Sequence, residues 1–436
     1  MDQLEFERLG IPTVTVVTSG FVGLAKTVAL SEGVIDMCVV SVPHPMGMIS
    51  TADIEKKALD AFPEILKLGM EWQPPGETLS SQSPYPAERF QFTGTLGDVN
   101  KLFFDRGWSM GIPVIPPTSE DLDNMLKGTS RKPDEVLGQV PPRMGTLTIE
   151  LVAVNALMAG CKPEYMPLLI AALEGLLAPE VNWRAALATT GTSQSVVIVN
   201  GPVIKEIDIA NEQGAAGKGH HPNGAIGYAI NLIAYTVGGS KPPSVDKSTF
   251  GSPADFICWV FGENEGKLPS GWEPLHVDRG FKKSDSVVTT MVSYPPVENI
   301  DHWSDTPQEQ IRWWSHLINP MMSIGGPCRS GVMNLSPIMA IGPEHAQSMA
   351  SAGWTKDDFR QALWEQARIP MSAWPAGCND AEDIINHLGP LTPESMIPIT
   401  FRPEQFLIII AGGDGKQSHY FAPFPGSLVT SKLVTK

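Results

Sequence analysis

The fold class is decided by three short stretches near the amino terminus, PTVTVVT at 12–18, FVGLAKTVAL at 21–30 and DMCVVSV at 36–42. The first and third are β-branched runs typical of buried strands, and the second has the composition of a helix. Two strands around one helix predict a βαβ unit with a parallel sheet. Ser50 or Thr51 then caps a further helix that is predicted to reach Leu68.

The chain divides at a segment without apolar periodicity. Residues 71–88 (EWQPPGETLSSQSPYPAE) are rich in Pro, Ser and Gly and are interpreted as a linker. The predicted organisation is therefore a small α/β module at 1–70, the linker at 71–88, and a large mixed α/β domain at 89–436 in which two sub-lobes remain an open alternative.

The large domain alternates helical and strand patterns, so the predicted class of the whole chain is α/β. Two strand patterns end alike, VVIVNGP at 196–202 and IMAIGP at 338–343, which weakly suggests two similar half-sheets. The helical patterns lie at 98–106, 120–126, 149–158, 163–177, 307–317, 343–351 and 356–365, and the strand patterns at 195–200, 287–292 and 406–411.

Composition excludes several functional classes. The 436 residues carry a formal charge of −16, and no basic block offers the clustered Lys and Arg that nucleic acid or an anionic membrane requires. No stretch approaches the roughly 20 apolar residues that span a bilayer. Five widely spaced cysteines fit a reducing cytoplasm and provide no zinc spacing. Cys161 is expected to be inert, and Cys328, in a Gly-rich loop beside Arg329, is expected to be more reactive, but neither is predicted to be a nucleophile.

His44 is the first candidate catalytic residue. It lies between two prolines directly after a predicted parallel strand, where open α/β sheets bind their ligands. Its imidazole titrates near neutral pH, and the flanking prolines hold the ring rigidly. The alternative is that the prolines only end the strand and that His44 occupies the turn.

Two Gly-rich segments are candidate anion sites. Gly413, Gly415, Lys416 and Ser418 follow an apolar strand, and successive glycines let backbone N–H groups converge on an anion. A tight structural turn is the competing interpretation. Lys218, His220 and His221 lie in a loop that enters a predicted helix near Ala225, which favours a mobile substrate-binding loop over a metal site.

A third candidate region, residues 263–279, concentrates carboxylates with a histidine and an arginine. Glu273, His276 and Arg279 are together sufficient for general acid–base catalysis with an electrophilic arginine. His276, between Leu275 and Val277, is predicted on a short extended piece, pointing into a site or into solvent. Glu263 and Glu265 are expected to be surface residues without a chemical role.

The motif GIPTV at 10–14, followed by VPHPMG at 42–47, resembles the UGSC-motif family, and more distantly the selenoprotein B subunit of glycine reductase. Segments at 111–118 (GIPVIPPT), 159–165 (AGCKPEY) and 272–277 (WEPLHV) are similar to a long domain found with that module. The family implies thiol or selenol chemistry at a Sec/Cys-Gly-Ser-Cys motif that precedes GIPTV. This chain begins inside the preceding helix, so the resemblance does not carry that redox chemistry over.

These observations predict an enzyme that acts on a small polar, anionic metabolite by lyase or hydrolase-type chemistry between the two domains. His44 and His276 are its expected acid–base pair. No cofactor is expected, and a metal site of His220, His221, His276 and His419 is a minority alternative. The competing class is a non-catalytic or half-site subunit of a heteromeric thiol-dependent or selenol-dependent complex. A homo-oligomeric or hetero-oligomeric partner is expected to cover the edge of the N-terminal sheet.

Overall fold

The computed structural model describes residues 6–7, 9–31, 34, 37–47, 49–73, 85–318, 334–373 and 381–436. Both helices and mixed sheets are present, which confirms the predicted α/β class. The boundaries at 1–70, 71–88 and 89–436 stay predictions, since residues 74–84 of the linker lie outside the described part. Cys328 and Cys378 also lie outside the described residues. Among the described helices, none is both long and apolar enough to cross a membrane.

The N-terminal unit is the predicted βαβ arrangement. Strands β1 (Thr15–Thr18) and β2 (Val39–Val42) pair in parallel and are joined by helix α1 (Val22–Ser31). Helix α2 (Thr51–Glu71) follows, and its N-cap residue Ser50 accepts a hydrogen bond from the backbone of a first-turn residue, as expected. The apolar face of α2 packs on β2, so the unit has a small core of its own.

The rest of the chain supplies the remaining helices and strands. The helices are α3 (Leu96–Asp105), α4 (Ser119–Leu126), α5 (Ile149–Met158), α6 (Met166–Leu176), α7 (Trp183–Ala186), α8 (Val203–Glu206), α9 (His221–Thr236), α10 (Leu275–Asp278), α11 (Pro307–Leu317), α12 (Pro343–Ser351), α13 (Lys356–Gln366) and α14 (Ala381–Leu388). The strands are β3 (Val136–Val140), β4 (Gly145–Thr148), β5 (Gln194–Asn200), β6 (Trp259–Gly262), β7 (Val287–Ser293), β8 (Val297–Ile300), β9 (Ile338–Ile341), β10 (Arg368–Pro370), β11 (Met396–Pro398), β12 (Leu407–Ile410), β13 (Gln417–Phe421) and β14 (Thr430–Leu433).

Two four-stranded sheets in the described chain form the centre of the large domain, and they have the same strand directions. In the order β6-β5-β7-β14 the first pair is parallel and the others are antiparallel. The order β12-β9-β13-β8 repeats this pattern. The two sheets exchange one strand each. Strand β8 follows β7 along the chain but lies in the second sheet, and β14 follows β13 but lies in the first. The similar endings of β5 and β9 therefore mark two similar half-sheets.

The alternation of side chains along the strands produces a four-layer arrangement. Val196 and Ile198 of β5 face Ile338 and Ala340 of β9 in a shared core between the two sheets. The opposite face of β5 packs against α5, α6 and α9. The opposite face of β9 and β12 packs against α11, α12 and α13. Strands covered on both faces have continuous apolar sequences, which is why they could be recognised.

Candidate functional site

A cavity of about 600 Å³ lies beside the start of β5, enclosed by α7, the second half of α9 and the loop after it. We call it the aspartate pocket because Asp246 and Asp255 line it. The other described lining residues include Trp183, Gln194, Ser195, Asn231, Tyr235, Ser248, Phe250, Gly251, Ser252 and Phe256.

The electrostatics of the aspartate pocket are unusual for surface carboxylates. Burial raises the pKa of Asp246, and a hydrogen bond from Ser248 N–H and the charge of Lys247 partly oppose that shift. Burial likewise raises the pKa of Asp255. A hydrogen bond from the Ser252 N–H lowers this pKa in part, and the negative charge of Asp246 raises it further. Two interacting carboxylates whose pKa values are raised within one cavity are a candidate acid–base pair.

Local sequence fixes the orientation of Asp255. Ser252 and Asp255 form a capping box: Ser252 N–H donates to Asp255 Oδ2 at 2.7 Å, and Ser252 Oγ accepts from the Ala254 N–H. Gly251 has φ +72°, and a Cβ there would lie 3.0 Å from Asp255 Oδ2. Glycine is therefore required both by the backbone conformation and by the close approach of the carboxylate.

The N-terminal unit touches the rim of this pocket. The Lys247 ammonium lies 5.7 Å from the centre of the Phe21 ring, next to Asp246. Arg184, in helix α7, donates to Ser31 Oγ at 2.9 Å. The aspartate pocket is therefore lined by the large domain and bordered by the N-terminal unit.

His44 lies on the exposed side of the N-terminal unit. Its Nδ1 is 3.1 Å from Thr18 Oγ1, and its ring centre is 6.2 Å from that of Phe21. Lys57 Nζ donates to the backbone oxygens of Pro43 at 3.0 Å and Pro45 at 2.6 Å, which holds the loop. Through Phe21 and Lys247, His44 is adjacent to the pocket rim but is not among the residues that line the cavity.

His276 is fully buried, in a single helical turn rather than in an extended segment. The expectations of an extended segment and of a side chain in solvent are therefore wrong, because Pro274 is the N-cap of the short helix α10, whose second residue is buried. Its Nδ1 lies 3.8 Å from Glu265 Oε1, and both ring nitrogens lack a hydrogen-bond partner in the described structure.

Glu263, expected at the surface, is the buried centre of this region. Its Oε2 accepts from Asn200 Nδ2 and Leu275 N–H, each at 2.7 Å, and its Oε1 accepts from Ile410 N–H at 3.3 Å. Burial raises the pKa of Glu263, and Lys356 and these donors oppose the shift. The carboxylate thus joins the ends of β5, β6 and β12 and acts structurally.

The two neighbours of His276 have structural partners as well. Glu273 is exposed, with its carboxylate 3.8 Å from Lys283 Nζ, and its backbone oxygen accepts from Lys356. Arg279 donates to Ser431 Oγ at 2.5 Å and to Val429 O at 2.9 Å, which holds β14, and burial lowers its pKa.

The Gly-rich turn before β13 does bind a carboxylate, but the carboxylate is the chain's own Glu344. Gly415 N–H and Lys416 N–H both donate to Glu344 Oε2, at 2.5 and 2.8 Å. The first of these bonds is the main reason that the pKa of Glu344 is lowered. Gly413 packs against Gln213. An external anion would have to displace Glu344 from these amides.

Ser418 lies in β13 rather than in the turn, and it is buried. Its Oγ accepts from Gly342 N–H at 3.1 Å and is 2.8 Å from His345 Nδ1. His345 Nε2 is 3.0 Å from Asp301 O, an acceptor, so Nε2 carries the proton and Ser418 donates to Nδ1. Burial lowers the pKa of His345. This enclosed pair stabilises the start of α12.

The loop with three predicted binding residues is partly helical. Lys218 is exposed, and His220 is the N-cap of α9, with Nδ1 3.7 Å from Asp208 Oδ2. His221 is the first residue of that helix, which begins four residues earlier than expected because Pro222 suits a first turn. Its Nδ1 lies 3.2 Å from the Tyr165 hydroxyl.

Two of the three described thiols are poor nucleophiles near neutral pH. Burial raises the pKa of Cys161 and of Cys258 to about 12, so neither is a thiolate near neutral pH. Across the described residues, no group of three or more His, Cys, Asp or Glu side chains is placed to hold a metal ion.

The structure brings together some predicted segments but not the predicted site. The turns at 211–213, 263–265 and 412–413 are in contact, since Asn264 Nδ2 donates to Gly412 O at 2.9 Å and Gly412 N–H donates to Asn211 O at 3.1 Å. His44 lies elsewhere, and sequence reasoning missed Asp246 and Asp255. The available signal was two aspartates nine positions apart in a loop rich in Pro, Ser and Gly between a helix and a strand.

Comparison with known proteins gives one assignment. The family model described as the UGSC family matches residues 1–70. No curated protein and no solved structure gives a significant match to the chain. The matched segment contains the GIPTV and VPHPMG motifs and coincides with the N-terminal unit, while the more distant likeness to selenoprotein B stays a prediction. Residues 1–70 of this chain are therefore similar to the UGSC family.

Proposed function

We propose that the chain is an enzyme that cleaves a carbon–heteroatom bond by acid–base catalysis in the aspartate pocket. The supporting observation is the pair of half-buried carboxylates, Asp246 and Asp255, which line one cavity of about 600 Å³ and whose pKa values burial raises. A cavity of this size accommodates a small organic molecule. This assignment replaces His44 and His276 as the acid–base pair, since one is exposed and the other fully enclosed.

The surroundings of the two carboxylates assign their roles. Burial favours the protonated form of both carboxyl groups. The Ser248 N–H and the charge of Lys247 oppose it at Asp246, which we assign as the base. The Ser252 N–H opposes it at Asp255, whereas the negative charge of Asp246 adds to it, and we assign Asp255 as the acid. Asp246 removes a proton from water or from substrate carbon, and Asp255 donates its proton to the departing heteroatom. Water as nucleophile gives a hydrolase, and proton loss from carbon gives a lyase.

The lining also indicates the substrate class. Asp246 and Asp255 are the charged residues among the described residues that line the pocket. Like charges disfavour an anion, so we propose a small neutral or cationic polar substrate rather than the anionic one expected from the Gly-rich loops. Tyr235, Phe250 and Phe256 add aromatic surface of the kind that binds organic cations.

A ligand panel tests this substrate class. We expect small alkylammonium ions to raise the melting temperature of the chain at neutral pH, whereas phosphate, sulfate and small dicarboxylates do not. The stabilisation should disappear in the double variant Asp246→Asn, Asp255→Asn and persist in the control Asp60→Asn, an exposed aspartate on α2. The proposal would be contradicted if the anions raised the melting temperature and did so equally in the wild type and in the double variant.

The second candidate function is that of a subunit in a larger complex. A cytoplasmic location stays a separate prediction. Within the described residues, β1 and β2 form a two-stranded parallel sheet, and parallel sheets are normally covered on both faces. Leu59, Phe62, Leu66 and Met70 form an exposed apolar stripe on α2. Both observations favour a partner on the N-terminal unit. Turnover by the purified chain without added thiol would remove the non-catalytic interpretation.

A further inference from the structure

A second, larger cavity of about 950 Å³ lies on the other side of the segment that ends α9. Thr236 and Val237 line this cavity, while Tyr235 lines the aspartate pocket, so the chain at this point separates the two. Its floor is apolar and comes from α3, α4 and α5, with Phe103, Leu122 and Met158 almost fully buried.

An extended arm, residues 85–95, forms one wall. Glu150, at the start of α5 and only 2% exposed, accepts from Ala87 N–H at 2.7 Å and from Arg89 at 3.0 Å. The Arg106 guanidinium lies over the Phe90 and Trp108 rings, 4.9 and 4.8 Å from their centres. These contacts hold aromatic side chains of the arm and of the adjacent loop at the mouth of an apolar cavity.

Three charged side chains line the cavity: Glu88, Arg89 and Arg143. Arg89 is paired with Glu150, and no described carboxylate, Glu88 included, lies within ion-pair distance of Arg143. Arg143 N–H donates to Gly238 O at 2.9 Å, which fixes the turn between β3 and β4. The guanidinium makes only long bonds, of 3.4 and 3.3 Å, to the backbone oxygens of Thr236 and Val237.

From this arrangement we infer that the second cavity binds an amphipathic monocarboxylate, with its apolar body on the floor and its carboxylate on Arg143. The turn fixes the backbone of Arg143, and its exposed, planar guanidinium is free to bind a carboxylate in bidentate geometry. Burial of the hydrocarbon supplies the remaining affinity. The site is separate from the aspartate pocket and needs no assumption about the reaction there.

Calorimetric titration with octanoate, 1-octanol and octylammonium tests this inference. Octanoate should bind the wild-type chain, and Arg143→Gln should weaken it by about 10- to 100-fold, the scale of one charged hydrogen bond. Octanol should bind both forms equally, and octylammonium more weakly than octanoate. Arg312→Gln, an exposed arginine on α11, is the matched control and should leave octanoate binding unchanged.

A second variant locates the ligand. Val154→Phe places extra volume in the cavity and should weaken octanoate and octanol alike, with circular dichroism confirming the fold. The inference would be overturned if octanoate did not bind the wild type or bound Arg143→Gln with equal affinity. It would also be overturned if octylammonium bound the wild type more tightly than octanoate. Octanoate binding that Val154→Phe leaves unchanged would also overturn it, because the ligand would then lie elsewhere.

Discussion

Glu263→Gln is expected to lower the free energy of unfolding by about 3 kcal/mol. Both carboxylate oxygens of Glu263 accept N–H donors, from Asn200, Leu275 and Ile410. A glutamine offers one oxygen and one NH₂ group, so at least one buried donor would face another donor. The ends of three strands lose a shared acceptor at the same time.

Urea unfolding followed by circular dichroism measures this effect. Glu273→Gln is the matched control, because Glu273 is exposed and its carboxylate has only a 3.8 Å contact with Lys283. That variant should stay within about 0.5 kcal/mol of the wild type. Equal stability of the Glu263 and Glu273 variants would show that the Glu263 cluster does not hold the strand ends together.

The largest expected effect on activity is at the aspartate pocket. Once a substrate is found, Asp246→Asn and Asp255→Asn should each lower kcat by about 10²- to 10⁴-fold, the usual contribution of a positioned acid or base. The double variant should be little worse than either single variant, because the two groups act as a unit. Asp60→Asn should retain full turnover.

Stability separates a catalytic role from a structural one. A raised folded-state pKa means that the native state holds its proton more tightly, so the contribution to stability is present at low pH and lost as pH rises through the folded pKa. The asparagine variants have no such loss and should be at least as stable as the wild type at pH 8. Variants that lose both turnover and stability at pH 8 would indicate a structural role.

Most of the fold could be predicted because its signals are local. Helices at 149–158, 307–317 and 343–351 were predicted with the bounds that the structure shows, and the apolar strands β5, β7 and β12 were found within two residues at each end. The missed strands are β3, β4, β6, β8, β10, β11, β13 and β14, all of them three to five residues long. For β6, β8 and β14, pairing with distant strands determines the conformation.

The site was less predictable because its chemistry depends on burial. Sequence placed His276 in an open position and Glu263 at the surface, but tertiary contacts enclose both. The Gly415–Lys416 amides do converge on a carboxylate, although the sequence could not show that Glu344, about seventy residues earlier, would reach them. Asp246 and Asp255 gain their raised pKa only from the cavity that surrounds them.

Titration of the side-chain carboxyl groups by ¹³C NMR shows whether Asp246 and Asp255 are a coupled acid–base pair. We expect the pKa of both groups to lie above the ordinary aspartate range, and Asp246→Asn to lower the pKa of Asp255 by removing a neighbouring negative charge. Two independent titrations in the ordinary range, with Asp255 unaffected by Asp246→Asn, would contradict this expectation.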